Sequence, residues 1–162
     1  MEPDALAREA AFPSYRSGEE AADRCIHLLG LALGSGAALA LLRLAARQPE
    51  GRVFLATAVY AVGLITMLLC SALYNMAPPS RLKAWLRRLD HAAIFLMIAG
   101  TYTPFLLGRM GGAWGWGMLA FVWLAAGAGA ALALAAGRRH DALKLAAYLL
   151  LGWGILAVRQ PL

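Results

Sequence analysis

Five long stretches of this chain carry almost no charge, and that pattern constrains the fold more than any motif does. They run from about 25 to 42, 53 to 75, 90 to 108, 114 to 136 and 145 to 158. The second holds 23 residues without Asp, Glu, Lys, Arg or His. Crossing a ~30 Å hydrocarbon core takes ~20 helical residues. Isolated soluble helices do not hide that much apolar surface. Composition agrees, since 61% of residues are apolar and mean hydropathy is +0.62, against roughly half apolar in a soluble domain. The expected fold is therefore all-α: a polytopic bundle of about five transmembrane helices in a lipid bilayer. Residues 1–23 are expected as a cytoplasmic N-terminal segment, and residues 24–162 as the transmembrane domain.

Charge placement gives an orientation. The net charge is +6 and the pI is near 9.9. The cations sit between the apolar runs and not along one stripe, which argues against nucleic acid as a partner. Cytoplasmic loops collect Lys and Arg. An inside N-terminus puts Arg8, Arg16, Arg24, Arg81, Lys83, Arg87, Arg88, Arg138, Arg139 and Lys144 on the inner side. It leaves Arg43, Arg47, Arg52, Arg109 and Arg159 outside, with Arg43 and Arg47 placed to snorkel. The expected location is the plasma (inner) membrane, N-terminus in and C-terminus out. The first 23 residues carry six acids against Arg8 and Arg16, which does not suit the basic start of a secretory signal. Cys25 and Cys70, far apart and in apolar runs, define no disulfide framework.

Local features refine the spans. Pro78 and Pro79 should stop the second helix. Pro104 should kink the third by removing a donor and pressing on the Gly100 carbonyl, with Thr101 and Thr103 satisfying freed backbone groups. Gly111 to Gly117 reads as a turn before the fourth span, whose ends are marked by Trp114 with Trp116 and by Arg138 with Arg139. Tyr148 and Trp153 read as interfacial anchors of the fifth. Gly30, Gly34 and Ala38 at four-residue spacing let a neighbouring helix come close. Self-association into a homo-oligomer is expected through Gly30 and Gly34 or through Gly127 and Ala131.

The chemically informative stretch runs from Ser71 to Pro104. Ser71 and Asn75 are four apart and share one helix face. Asp90 and His91 are expected to open the next helix at the same membrane level, after a loop carrying four cations. Ionisable groups at membrane depth are functional candidates. Asp90 also has a purely structural reading, as an N-cap or as a partner of Arg87 or Arg88. His27 and His91 lie at similar depth, as does Cys70, a turn from Tyr74. No two of them share a metal-ligand spacing on one helix. His140 beside Asp141 reads as a loop residue. No G-x-x-x-x-G-K-[ST] loop or G-x-S-x-G elbow is present.

The segments SALYN (71–75), RRLDH (87–91) and IAGTYTP (98–104) resemble the signature of the hemolysin III family, within the progestin and adipoQ receptor superfamily. That signature reads S-A-L-Y-H, a basic loop, then L-R-R-L-D-H-x-x-I-x-x-x-I-A-G-T-Y-T-P. EEAADRCIHLLG (19–30) resembles the family's start, with Asp23 at its Asn position and His27 at its His position. YLLLGWGILAV (148–158) resembles its fifth span. The resemblance implies the core of a seven-helix fold and a zinc ion near the cytoplasmic face. Its ligands would be three histidines, one ending S-A-L-Y-H and two in an H-x-x-x-H on the seventh helix. Ser71 and Asp90 match the supporting Ser and Asp, and the implied chemistry is zinc-assisted hydrolysis of an amide, often in a lipid.

The sequence departs from that pattern twice. Asn75 stands at the first ligand position, and a carboxamide binds zinc poorly beside imidazole. The chain also stops where the fifth span stops, so the two remaining histidines are absent from it. The expectation is a membrane protein without its own zinc site, no cofactor and no catalysis of its own. The alternatives are a fragment of a zinc-dependent membrane hydrolase and, from the family's name, a cytolytic or pore-forming protein. The almost wholly apolar spans offer little for a pore.

Overall fold

A computed structural model describes residues 17–110, 112–136 and 140–154. They form α1 (Ser17–Ala45), α2 (Gly51–Met76), α3 (Arg81–Phe105), a π-helical turn (Leu106–Met110), α4 (Gly112–Ala136) and α5 (Asp141–Trp153). Four segments are long and apolar enough to cross a bilayer: Gly18–Ala45, Gly51–Met76, Arg81–Gly108 and Gly112–Ala136. The protein is an all-α polytopic bundle. α5 is described over 13 residues, about 20 Å at 1.5 Å per residue. Residues 155–158, the rest of the expected fifth span, lie outside the described residues, as do residues 1–16 and the pair Arg138 and Arg139.

Proline chemistry sets the α2–α3 junction. Ala77 is extended, at φ −73° and ψ 139°, because Pro78 disfavours helical geometry in the residue before it. Lys83 then reaches back, its Nζ donating to the carbonyls of Ala77 (2.9 Å) and Asn75 (3.4 Å). These are carbonyls at the helix end that lack an intrahelical partner. Ser80 caps α3, its Oγ accepting from the Lys83 amide at 3.2 Å. The helix therefore begins at Arg81, nine residues before the expected start at Asp90. The basic stretch predicted as a loop is the opening turns of α3. Asp90 is not at a helix start, so its reading as an N-cap is overturned.

α3 is the hub. It packs on α2 along one side, on α4 along another, and on α5. Its buried residues include Phe95, Ala99, Gly100, Tyr102 and Thr103. α1 packs chiefly on α2. The α2–α3 crossing is tight because both helices place a glycine there. A Cβ on Gly63 would lie 3.5 Å from the Leu96 carbonyl oxygen, and one on Gly100 would lie 3.5 Å from that of Val59. Gly34 packs onto Leu68 of α2 and Ala38 is buried. Close approach along that stripe is thus real, but at Gly34 it is spent inside the chain and not on a second copy.

Pro104 is accommodated within α3, and the π-helical turn follows directly, a common way of absorbing a lost i→i−4 bond. The threonines do not serve the Gly100 carbonyl as expected. Thr101 donates to Met97 O (2.8 Å) and Thr103 to Ala99 O (2.9 Å). Thr103 also accepts from the Trp123 indole at 3.2 Å, tying α4 to α3. The glycine-rich stretch is mostly helix, since α4 begins at Gly112, whose φ of +67° is cheap only for glycine.

α5 is fastened to α3 by side chains. Arg87 pairs with Asp141 at 2.7 Å. Tyr148 donates to His91 O at 2.9 Å, and Tyr102 donates to Leu151 O at 2.6 Å. Tyr148 is therefore a packing residue, its ring 4.4 Å from that of Phe95, and not the interfacial anchor predicted. Trp153, Trp114 and Trp116 are exposed, in keeping with that role.

Candidate functional site

The alternating helices bring one end of each to a common level: the start of α1, the end of α2, the starts of α3 and α5, and the end of α4. The polar residues picked from sequence collect there. Ser71 on α2 hydrogen-bonds the Asp90 carboxylate on α3, and His27 on α1 and His91 and Arg87 on α3 lie within electrostatic reach of it. Three helices thus contribute to one cluster, although the residues span 65 positions of sequence, from 27 to 91. Cys70 is close enough to feel the same carboxylate.

Each member has a geometry that limits its chemistry. Asn75 turns its amide nitrogen back to Ser71 O (2.9 Å), with a longer contact to Ser71 Oγ (3.5 Å). Its NH₂ is thus a donor satisfied within its own helix. His91 Nδ1 lies 2.7 Å from Arg87 O. A carbonyl only accepts, so Nδ1 carries the proton and Nε2 holds the lone pair of the neutral ring. His27 Nε2 lies 3.4 Å from Asp23 Oδ1, one turn earlier. Tyr74 sits under the Lys83 ammonium, 5.5 Å from its ring centroid, and so belongs to the α2–α3 junction.

Sequence reasoning missed a second group below the first. Asp141 receives Arg87 (2.7 Å) and Lys144 (2.6 Å), and Lys144 is only 2% exposed. Burial pushes the Asp141 carboxyl up. The hydrogen bonds from Lys144 and Arg87 outweigh that and hold it below the ordinary value of 3.8. This corrects the pairing suggested for Asp90: Arg87 reaches it only at a distance and salt-bridges Asp141. Arg88 donates to Leu134 O at the end of α4 (3.1 Å) and stacks on Trp85. The available signal was the Asp141–Lys144 spacing, i to i+3 on a helix. His140 occupies the N-cap position of α5 without a side-chain cap.

Zinc, which the resemblance implies, does not fit what is gathered here. Among the described residues no three His, Cys, Asp or Glu side chains converge closely enough to hold a metal ion. Asn75 spends its NH₂ on its own helix, and the oxygen it keeps is a poor zinc ligand beside imidazole. The cluster can bind and orient a polar group through Ser71, Asp90 and the His91 Nε2 lone pair.

Comparison with known proteins gives one consistent answer. Residues 15–161 match the family model described as Haemolysin-III related. The chain is 33% identical over 144 residues to "Hemolysin-3" of Bacillus cereus, covering 89% of this chain and 66% of that protein. It is 32% identical over 144 residues to "Hemolysin-3 homolog" of Bacillus subtilis (strain 168), covering 89% and 68%. The chain thus spans about two thirds of the length of these relatives. No solved structure gives a significant match.

Proposed function

The chain belongs to the hemolysin III family, and from that premise we propose that it is a binding or structural membrane protein whose described helices carry the supporting half of the family site without its metal ligands. The observation that carries this reading is Asn75 itself, a carboxamide with its NH₂ bonded to Ser71 O, where the resemblance places a histidine and where its oxygen is a far weaker zinc ligand than imidazole. The Ser71–Asp90 pair then orients a polar group at the membrane surface and does not polarise a metal-bound water. In this reading the polar end faces the cytoplasm, the protein resides in the plasma membrane, and Gly127 with Ala131, both exposed on α4, is the face offered to a second copy.

The test is the metal content of protein purified in mild detergent without chelator. The expected result is zinc well below one per chain, unchanged by Asn75→Ala or Asp90→Asn. Stoichiometric zinc that falls in either variant overturns the proposal.

A second reading, a zinc-dependent membrane hydrolase whose ligands lie outside the described residues, is favoured by the Ser71–Asp90 hydrogen bond and the lone pair on His91 Nε2. It predicts that Asn75→His raises zinc affinity. The relatives' names add a cytolytic reading, for which leakage from protein-loaded liposomes is the direct measurement.

A further inference from the structure

α2 and α4 each pack on α3 rather than on one another, and the space left between them is a trough of about 310 Å³. Ala58, Val62 and Thr66 form its α2 wall, Leu96 of α3 its floor, and Trp123 of α4 the opposite wall. Val62, on the rim, is 67% exposed.

Its position is independent of the polar cluster. Val62 is nine residues from Ser71, or ~180° round the helix at 3.6 residues per turn. The trough therefore opens on the side of α2 away from Ser71. Along the axis Val62 stands ~17 Å from Gly51 and ~21 Å from Met76 at 1.5 Å per residue. It is thus at mid-span of a membrane helix, where the only solvent is hydrocarbon.

We propose that this trough holds one acyl chain of a bilayer phospholipid as a resident lipid. An unfilled trough forfeits the dispersion contacts of every atom lining it. The wall cannot close to recover them. The Trp123 indole is pinned by its bond to Thr103 Oγ, and Thr103 is itself bonded to Ala99 O. The α2–α3 spacing is set by the Gly63–Leu96 approach. The trough holds about 310 Å³, less than one turn of a helix ~10 Å across with a pitch of ~5.4 Å, so it suits a single hydrocarbon chain better than a helix from a second copy. Apart from the Thr66 hydroxyl and the indole nitrogen, the side chains named are apolar, which suits an alkyl chain.

Trp123 is the built-in reporter. In a variant with Trp85, Trp114, Trp116 and Trp153 changed to Phe, Trp123 is the one source of indole fluorescence, read by selective tryptophan excitation. Reconstituted into phosphatidylcholine vesicles, it is titrated with phosphatidylcholine brominated at mid-chain. The expected result is strong quenching with the concentration dependence of a single lipid site. Most of that quenching should be lost in Ala58→Phe, which fills the trough, and in Val62→Phe, made as a second filler in case the first fails to fold. Far-UV circular dichroism checks each fold. Absence of quenching means that protein covers Trp123, and it overturns the proposal. Quenching that persists in every folded filler variant reflects ordinary lipid contact and overturns it equally.

Discussion

Changing Gly129 to Ala on α4 adds a single methyl group, and the structure places that methyl inside the Phe95 ring. An added Cβ would overlap Phe95 Cε1 and lie 2.6 Å from Cζ. The ring has nowhere to go. Phe95 is 1% exposed and packs on Tyr148 at 4.4 Å, and Tyr148 is held by its bond to His91 O. Overpacking a filled core costs about 1–3 kcal/mol. Displacing Tyr148 adds the loss of one hydrogen bond, about 0.5–1.5 kcal/mol. The expected destabilisation is therefore about 1.5–4.5 kcal/mol. Gly117→Ala on the same helix meets nothing within 4 Å and should stay within about 1 kcal/mol of the parent, the size of the helix-propensity change. Both are measured by reversible unfolding in mixed micelles of dodecyl sulfate and mild detergent, followed by circular dichroism. Phe95→Leu should be destabilising alone yet partly rescue Gly129→Ala, because the two share one space. Equal stabilities for the two alanine variants, or strictly additive costs with Phe95→Leu, would refute this packing of Phe95 against Gly129.

Three further outcomes follow from the polar contacts. Asp141 holds its proton more weakly folded than unfolded, so its ion pairs stabilise the bundle above the ordinary carboxylate value and fade as pH falls through the lowered folded value. The thermal midpoint in detergent should be level from neutrality to about pH 4 and drop below it, and Asp141→Asn should flatten that drop. Lys83→Met leaves the carbonyls of Ala77 and Asn75 without their ammonium donor and should cost about 1.5–3 kcal/mol in the same unfolding assay. Tyr102→Phe removes the bond to Leu151 O and should cost about 0.5–1.5 kcal/mol, with faster amide exchange confined to the last turn of α5.

The spans were legible because burial in lipid is a property of composition and length. α2 is found at 51–76 against an expected 53–75, and α4 at 112–136 against 114–136. The start of α3 was not legible. Charged residues 81–88 look like a loop in hydropathy, but Ser80 caps them into helix and Arg87 and Arg88 find partners on α5 and α4. Those partners are 54 and 46 residues away, beyond the reach of any local pattern. Ser71 and Asp90 meeting across two helices was anticipated from their shared level. The back-folded Asn75 amide and the pinned Trp123 depend on rotamers that spacing alone does not specify.

The weak seating of α1 has a consequence for the carboxylate cluster. Only 6% of the residues in its most apolar stretch are buried inside the bundle, against 44% for α3. Lipid solvates the rest, and its packing is chiefly on α2 alone, so tilting or sliding it disturbs a single helix interface. Yet α1 carries His27, the cluster's sole imidazole from outside α3. Ser71 and Asp90 sit on the firmly gripped pair and stay where they are. One contributor to the charge environment of Asp90 thus sits on the least buried of the four long spans, and bilayer thickness or tension acting on α1 would move it.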